Sequence, residues 1–229
     1  MVRELNEDAV LDRGQIGLWA VADGVGGADA GELASEAVVD ALSRLSPADA
    51  AGQLHDQAAD ALQGANRQLC REAVERGSSR GIAATVVCLV IHDARFSCLW
   101  AGDSRLYRLR AGRFEQLSRD HTEVQALLDY GLLTAEEAKH HPRSNTITRA
   151  VGAGDELQLD QVEGEVEPDD CFLLCSDGLT KVVDDDEIAL ILAQMEPTRA
   201  VHRLIRMTLE RGAPDNVSVV AVQAAATGY

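Results

Sequence analysis

Four times along this chain a short apolar run enters or leaves a turn that carries an aspartate: VADGVGG around Asp23, WAGDSR around Asp103, LLCSDGL around Asp177 and APDNVSVV around Asp215. Apolar, β-branched runs bounded by glycine read as buried strands. Each aspartate therefore sits where a strand meets a turn, fixed by the sheet behind it and open in front. Glycines beside Asp23 let a metal or phosphate approach the main chain closely. A single Asp-Gly is ordinary turn chemistry, where asparagine or serine serves as well. Aspartate recurs at all of these places, joined by Glu7-Asp8 in RELNEDAV, and if the strands belong to packed sheets with their ends together, the acids converge at one edge.

The spacing of the runs narrows the fold. Ile82–Ile91, Phe96–Ala101, Arg105–Arg110 and Phe114–Leu117 follow one another through the turns His92-Asp93, Gly102-Asp103-Ser104 and Ala111-Gly112. Consecutive short strands of this kind favour an antiparallel meander over β-α-β units. Gly31–Leu45 carries Leu33, Ala37, Val38, Ala41, Leu42 and Leu45 at helical spacing. Ser46-Pro47 is expected to open a second helix, which Gly77 ends. The polar stretch from His121 to Gly152 reads as a surface excursion, with helices near Glu123–Tyr130 and Ala135–His140. Strands are expected at Leu157–Val162, Cys171–Cys175 and Val217–Val222, and helices at Ile188–Met195, capped by Asp184 or Asp185, and Pro197–Arg211. With no linker or repeat, residues 1–229 read as one domain.

Composition excludes several classes. Hydrophobic residues at 46% suit a packed core. The longest apolar run, Ile82–Ile91, falls short of the roughly 20 residues of a bilayer span. Arg3, Glu4, Glu7 and Asp8 precede any apolar stretch, so no signal peptide is visible and a cytoplasmic protein is expected. Cys70, Cys88, Cys98, Cys171 and Cys175 lack zinc-type pairing and read as small buried hydrophobes, with Cys171 and Cys175 on one side of a strand. A net charge of −17 argues against nucleic acid or an anionic membrane as partner. It would also repel a phosphorylated substrate unless bound divalent cations reverse the local field.

Convergent carboxylates repel one another and need such counter-charge. Hard divalent ions with oxygen ligands, Mg²⁺ or Mn²⁺, supply it. Two of them about 4 Å apart repel by about 16 kcal/mol at an effective dielectric of about 20. A bridging carboxylate with several more around it offsets that, so the number of acids suits two metals better than one. Two ions sharing a water make it a nucleophile and clamp a transferring phosphoryl group. Arg3, four residues before Glu7, could add a bidentate grip on the phosphate.

With these residues in view, the chain resembles the metal-dependent serine/threonine protein phosphatases of the PPM class, the type 2C phosphatases. The resemblance rests on Arg3-x-x-Asn6-Glu7-Asp8, Ala22-Asp23-Gly24-Val25-Gly26-Gly27 with Gly31-Glu32-x-Ala34-Ser35, Gly102-Asp103-Ser104-Arg105, Ser176-Asp177-Gly178-Leu179 and Asp215-Asn216-Val217-Ser218. Asp120-His121-Thr122 and His141-Pro142 through Asn145-x-Ile147-Thr148-Arg149 resemble the flap of bacterial members. The resemblance implies an α+β fold: a four-layer α-β-β-α sandwich of two antiparallel sheets, with metals at one edge. It implies that Asp23 bridges two metals, that the Gly24 carbonyl, Glu7 and Asp8 serve the second, and that Asp177 and Asp215 bind the first. Asp103 would help Asp177 hold a third, weaker ion, and Arg3 would bind the substrate phosphate. The catalytic set is then Arg3, Asp23 and Asp177, acting on phosphoserine or phosphothreonine by direct attack of a metal-bridging water. A phosphoprotein substrate, an opposing kinase and a monomeric state are expected with it. Two departures stand out. The chain begins two residues before Arg3, so the usual first strand is expected to be shortened or missing, or the natural start to lie upstream. Val25 stands where animal members carry a histidine proposed as general acid.

Blander readings apply elsewhere. His121, His140 and His141 lie in the excursion without spaced carboxylate partners and are expected in surface or capping roles. Cys70-x5-Arg76 has the bare spacing of a cysteine-nucleophile phosphatase, but a helix interior with Glu72 and Glu75 offers no anion nest. Asp184–Glu187 reads as solvated charge at a helix start, and Trp19 and Trp100 as core. The rival from another class is a non-catalytic regulatory module of the same fold that binds a phosphoprotein.

Overall fold

A computed structural model of the chain describes residues 5–25, 30–47, 51–79, 81–139 and 141–224. The elements run β1 (Asp8–Arg13), a short 3-10 turn (Gly14–Ile16), β2 (Leu18–Val25), α1 (Ala30–Ser43), α2 (Ala51–Glu75), β3 (Ala83–Ala84), β4 (Val86–His92), β5 (Arg95–Ala101) and β6 (Arg105–Arg110). They continue as β7 (Arg113–Gln116), α3 (Glu123–Asp129), α4 (Ala135–Lys139), β8 (Asp160–Glu165), β9 (Cys171–Cys175), α5 (Asp177–Thr180), α6 (Asp185–Gln194), α7 (Pro197–Glu210) and β10 (Val219–Gln223). One sheet has the order β1-β2-β4-β5-β8 with β3 paired to β2, and the other β10-β9-β6-β7. The pairings are antiparallel throughout.

Alternation along the central strands shows how the layers stack, because successive side chains leave opposite faces of a sheet. Val87 and Leu89 of β4 join Val21, Leu106, Phe172 and Leu174 in an apolar layer between the sheets. Val86, Cys88 and Val90 face the other way, against Leu42 of α1 and Leu54, Leu62 and Leu69 of α2. On β9, Cys171, Leu173 and Cys175 turn outward to Ile188 and Leu192 of α6 and Leu204 and Met207 of α7. The four-layer α-β-β-α sandwich of the sequence reading is therefore the fold. Cys171 and Cys175 share a face, and all five cysteines are free thiols.

Local chemistry moves several boundaries. Of the six residues of β1 only Asp8 and Leu11 are buried, which erases the alternation by which an edge strand is recognised. The expected strand Ile82–Ile91 breaks at Thr85. There the Thr85 N–H donates to the Asp23 carbonyl at 2.8 Å, and its hydroxyl accepts the Asp23 N–H at 3.3 Å. The strand expected at Leu157–Val162 lies three residues later, because Leu157 packs under α2, where its carbonyl accepts from Gln63 Nε2 at 2.8 Å. Ser46 and Pro47 precede α2 in non-helical backbone rather than opening it, and residues 48–50 fall outside the described set. Asp184 precedes α6 as expected, with the Glu187 carboxylate accepting its N–H at 3.4 Å. The 121–152 excursion holds α3 and α4, with Tyr130 and Leu132 exposed. Among the described residues, no helix is long and apolar enough to cross a membrane.

Candidate metal centre

β1 and β2 pair with Asp8 directly opposite Asp23, so two of the acids share one sheet end. The backbone locks this end. The Gly24 N–H donates to the Glu7 carbonyl at 2.9 Å, and the Glu7 N–H donates to Asn216 Oδ1 at 3.0 Å. Asn216 Nδ2 donates in turn to the Leu5 carbonyl at 3.1 Å. One asparagine thus ties the start of the described chain to the turn before β10, which carries Asp215 to the same edge.

Asp177 arrives from the second sheet. Ser176, fully buried at the end of β9, donates its hydroxyl proton to Asp8 Oδ2 at 2.8 Å and accepts the Ser218 N–H at 3.0 Å. This serine joins the two sheets at their shared end. Gly178 then lies so close to the Asn216 backbone that a Cβ would overlap the Asn216 carbonyl oxygen. Gly24 and Gly31 bring α1 against β2 in the same manner, and a Cβ on Gly31 would strike Glu7 Oε1. Gly178→Ala is expected to cost about 1–3 kcal/mol by forcing backbone apart, and to weaken Mn²⁺ binding as Asp177 and Asp215 separate. Urea denaturation and a metal titration check the two effects.

Asp103 stands on the turn between β5 and β6, preceded by Gly102 at φ 116°, a conformation that favours glycine. His121 fixes this turn. The Gly102 N–H donates to His121 Nδ1 at 3.2 Å, and the His121 N–H donates to the Gly102 carbonyl at 2.9 Å. His121 Nε2 lies 3.1 Å from Asp160 Oδ2, and Arg149 donates to Asp160 Oδ1 at 2.6 Å. Its ring stacks on Trp100 with centroids 6.1 Å apart. His121 is therefore buried, not a surface residue, and it caps a loop. Burial pushes its pKa below the ordinary value, against the pull of Asp160. Its acid partner comes from 39 residues along the chain, so no local spacing could reveal it. His141 does cap a turn, accepting the Arg143 N–H at 3.2 Å. His140 and Arg3 lie outside the described residues, as do Gly26 and Gly27.

Burial first, and neighbouring negative charge second, raises the pKa of Asp8, Asp23, Asp103 and Asp177. Burial, followed by the charges of Asp8, Asp177, Asp103 and Asp215, pushes Asp23 well above the carboxylate range. Burial lifts Asp8 to about 6 despite hydrogen bonds from Ser176 and Ser218, with Asp177 and Asp215 adding to the rise. Asp103 goes to about 7 through burial and then the charges of Asp177 and Asp120. Burial also raises Asp177, opposed by Lys181. Asp8, Asp23, Asp103, Asp177 and Asp215 thus sense each other across both sheets, and Glu7 joins them through its backbone. Val25, exposed beyond Gly24, brings no proton donor.

The donor set fits a hard divalent cation. Asp8 Oδ1 and Asp177 Oδ1 are buried without a hydrogen-bond partner, a condition that costs about 1–3 kcal/mol for each group unless something binds it. Among the described residues, no group of three or more Asp, Glu, His or Cys side chains stands close enough together to hold an ion as placed. The counter-charge at hand is instead Lys181, whose Nζ lies 2.5 Å from Asp177 Oδ2 and 3.1 Å from Asp215 Oδ2. Lys181 drew no notice in the sequence, although its position four residues after Asp177 is the signal that could have found it. A groove of about 700 Å³ lined by Leu109, Cys171, Leu192, Met195 and Arg199 lies at the opposite end of β6 and β9 from the acids. Cavity volume and chemistry are separate here, and the carboxylates mark the site.

Residues 2–217 match the family described as Protein phosphatase 2C. Serine/threonine protein phosphatase PstP of Mycobacterium tuberculosis is 37% identical over 220 residues, covering 96% of this chain but 42% of PstP, so the chain spans less than half of that relative. Among solved structures, PppA, a key regulatory component of T6SS in Pseudomonas aeruginosa, superposes with a TM-score of 0.90 at 44% identity, covering 98% of this chain and 94% of that one. The catalytic domain of PstP in complex with two manganese ions superposes with a TM-score of 0.87 at 36% identity, covering 97% of this chain and 94% of that one. With the acids of every motif gathered at one sheet edge and a family match running almost end to end, the chain belongs to the protein phosphatase 2C family.

Proposed function

We propose that this chain is a metal-dependent protein serine/threonine phosphatase whose carboxylate edge holds the catalytic cations. The observation that carries this reading is the gathering of Asp8, Asp23, Asp103, Asp177 and Asp215 at one edge, with buried oxygens on Asp8 and Asp177 left unpaired. In the proposed assignment Asp23 would be shared by two ions, and Asp177 and Asp215 would hold the first. The Gly24 carbonyl, Glu7 and Asp8 would serve the second, and Asp103 with Asp177 would serve a weaker third. Divalent cations bound there, Mg²⁺ or Mn²⁺, supply an acidified water and neutralise phosphoryl oxygens. The chain's own part is to aim the ligands. Ser176 turns Asp8, Asn216 anchors the Glu7 backbone, Thr85 holds the β2 backbone at Asp23, and His121 fixes the turn bearing Asp103. Arg3 is the proposed grip on the substrate phosphate.

The manganese complex of the PstP catalytic domain supports the cation class. A phosphoprotein substrate, an opposing kinase, a cytoplasmic location, a monomeric state and a single catalytic domain complete the proposal. The rival non-catalytic module is not favoured, because a binding module gains nothing from burying so many mutually repelling acids. The test is hydrolysis of p-nitrophenyl phosphate and a phosphothreonine peptide by metal-stripped protein. Turnover is expected with added Mn²⁺ or Mg²⁺ and none with EDTA. A rise in melting temperature with Mn²⁺ but no turnover of either substrate would favour the module instead.

A further inference from the structure

We infer that the Lys181 ammonium is a built-in counter-cation that competes with divalent metal for Asp177 and Asp215, so that metal entry there is an exchange of cations. The inference rests on the proposal that these two acids hold a metal. Lys181 follows the short α5 and folds back four residues onto Asp177, with Nζ 2.5 Å from Oδ2. The same Nζ reaches across to Asp215 Oδ2 at 3.1 Å, joining acids that come from the ends of different strands.

The identity of the oxygens matters. Asp215 Oδ1 accepts the Asn216 N–H at 3.1 Å, so the oxygen best placed to face a ligand is Oδ2, and Lys181 holds it. A metal ligates such an oxygen at about 2.0–2.1 Å for Mg²⁺. An ammonium hydrogen-bonded to the same lone pairs stands in the way. Asp177 keeps Oδ1 without a hydrogen bond, so it is from Asp215 Oδ2 above all that Lys181 must withdraw, on its flexible four-carbon stem, before the pair can close on an ion. Its side chain is only 26% exposed, so the withdrawal also takes a charge from the acids that neutralise it.

Two consequences of opposite sign follow. Without metal, Lys181 offsets the repulsion between Asp177 and Asp215 and stabilises the folded chain. With metal, it taxes binding, because apparent affinity falls by the fraction of molecules whose site is open. An ammonium-in state favoured ten to one would weaken the apparent Kd about tenfold.

Lys181→Met keeps the apolar stem and removes the charge, and Lys181→Arg keeps the charge. Mn²⁺ titrations by calorimetry on metal-stripped protein, with thermal melts in EDTA, read both consequences. Lys181→Met is expected to tighten the Mn²⁺ Kd about tenfold while lowering the metal-free Tm, and Lys181→Arg to leave the Kd near that of the natural chain. An unchanged or weaker Kd in Lys181→Met overturns the inference, since the lysine would then position the acids for the metal rather than against it. Equal tightening by both variants also overturns it, because shape and not charge would be responsible. Failure of the natural chain and Lys181→Met alike to bind Mn²⁺ sinks the metal-site reading itself, an outcome distinct from binding that Lys181 does not alter.

Discussion

Asp23→Asn is expected to lower kcat by roughly a thousandfold or more, equivalent to about 4 kcal/mol of lost transition-state stabilisation. Asparagine has the same shape and keeps the β2 register opposite Asp8, but it removes the charge proposed to bridge both ions. The same substitution should not harm the metal-free fold. Asp23 is buried among Asp8, Asp103, Asp177 and Asp215, all of which repel its charge. An ionised group with those neighbours opposes folding, so its neutral counterpart leaves the Tm in EDTA unchanged or higher. Steady-state hydrolysis with Mn²⁺, beside melts in EDTA, separates the two effects. Turnover within tenfold of the natural chain would contradict the role proposed for Asp23, and a collapse of the metal-free fold would contradict the electrostatics.

Phe172→Ala is expected to destabilise the chain by about 3–5 kcal/mol. Phe172 is 0% exposed in the layer between the sheets, with its ring 5.1 Å from that of Phe96 at an interplanar angle of 55°. It contacts the layer where Val21, Leu89 and Leu174 also meet, so truncation leaves a cavity that two facing sheets cannot easily close. The urea midpoint should fall with little change in m. The acids belong to both sheets, so activity should fall as the folded fraction falls, while kcat per folded molecule stays near normal. A loss below about 1 kcal/mol would mean that the sheets do not pack as tightly as the burial indicates.

The sequence revealed the parts of this molecule whose signals are local. Cys171–Cys175 alternates cleanly between the inter-sheet layer and α6–α7, so strand β9 was legible to the residue. Asp103 and Asp177 were legible for a similar reason, since each follows closely on a strand that its own apolar run announces, whereas Asp23 lies within β2 and Asp215 well before β10. Long-range partnerships were not visible. His121 found Asp160 and Gly102, Asn216 found Glu7 and Leu5, and Ser176 found Asp8, each across tens to hundreds of residues with no spacing to betray them. Edge strand β1 escaped because Val10 is exposed and only Asp8 and Leu11 are buried. The break at Thr85 escaped because a hydroxyl bonded to the Asp23 backbone looks, in sequence, like one more β-branched residue.

The most direct test of the gathered acids is a crystal soaked in Mn²⁺, with anomalous scattering used to locate the ions. Manganese is expected between Asp23, Asp177 and Asp215, with Lys181 Nζ drawn away from Asp177 and Asp215. A crystal with the three carboxylates unmoved, Lys181 still bonded to two of them and no anomalous peak among them would contradict the metal centre.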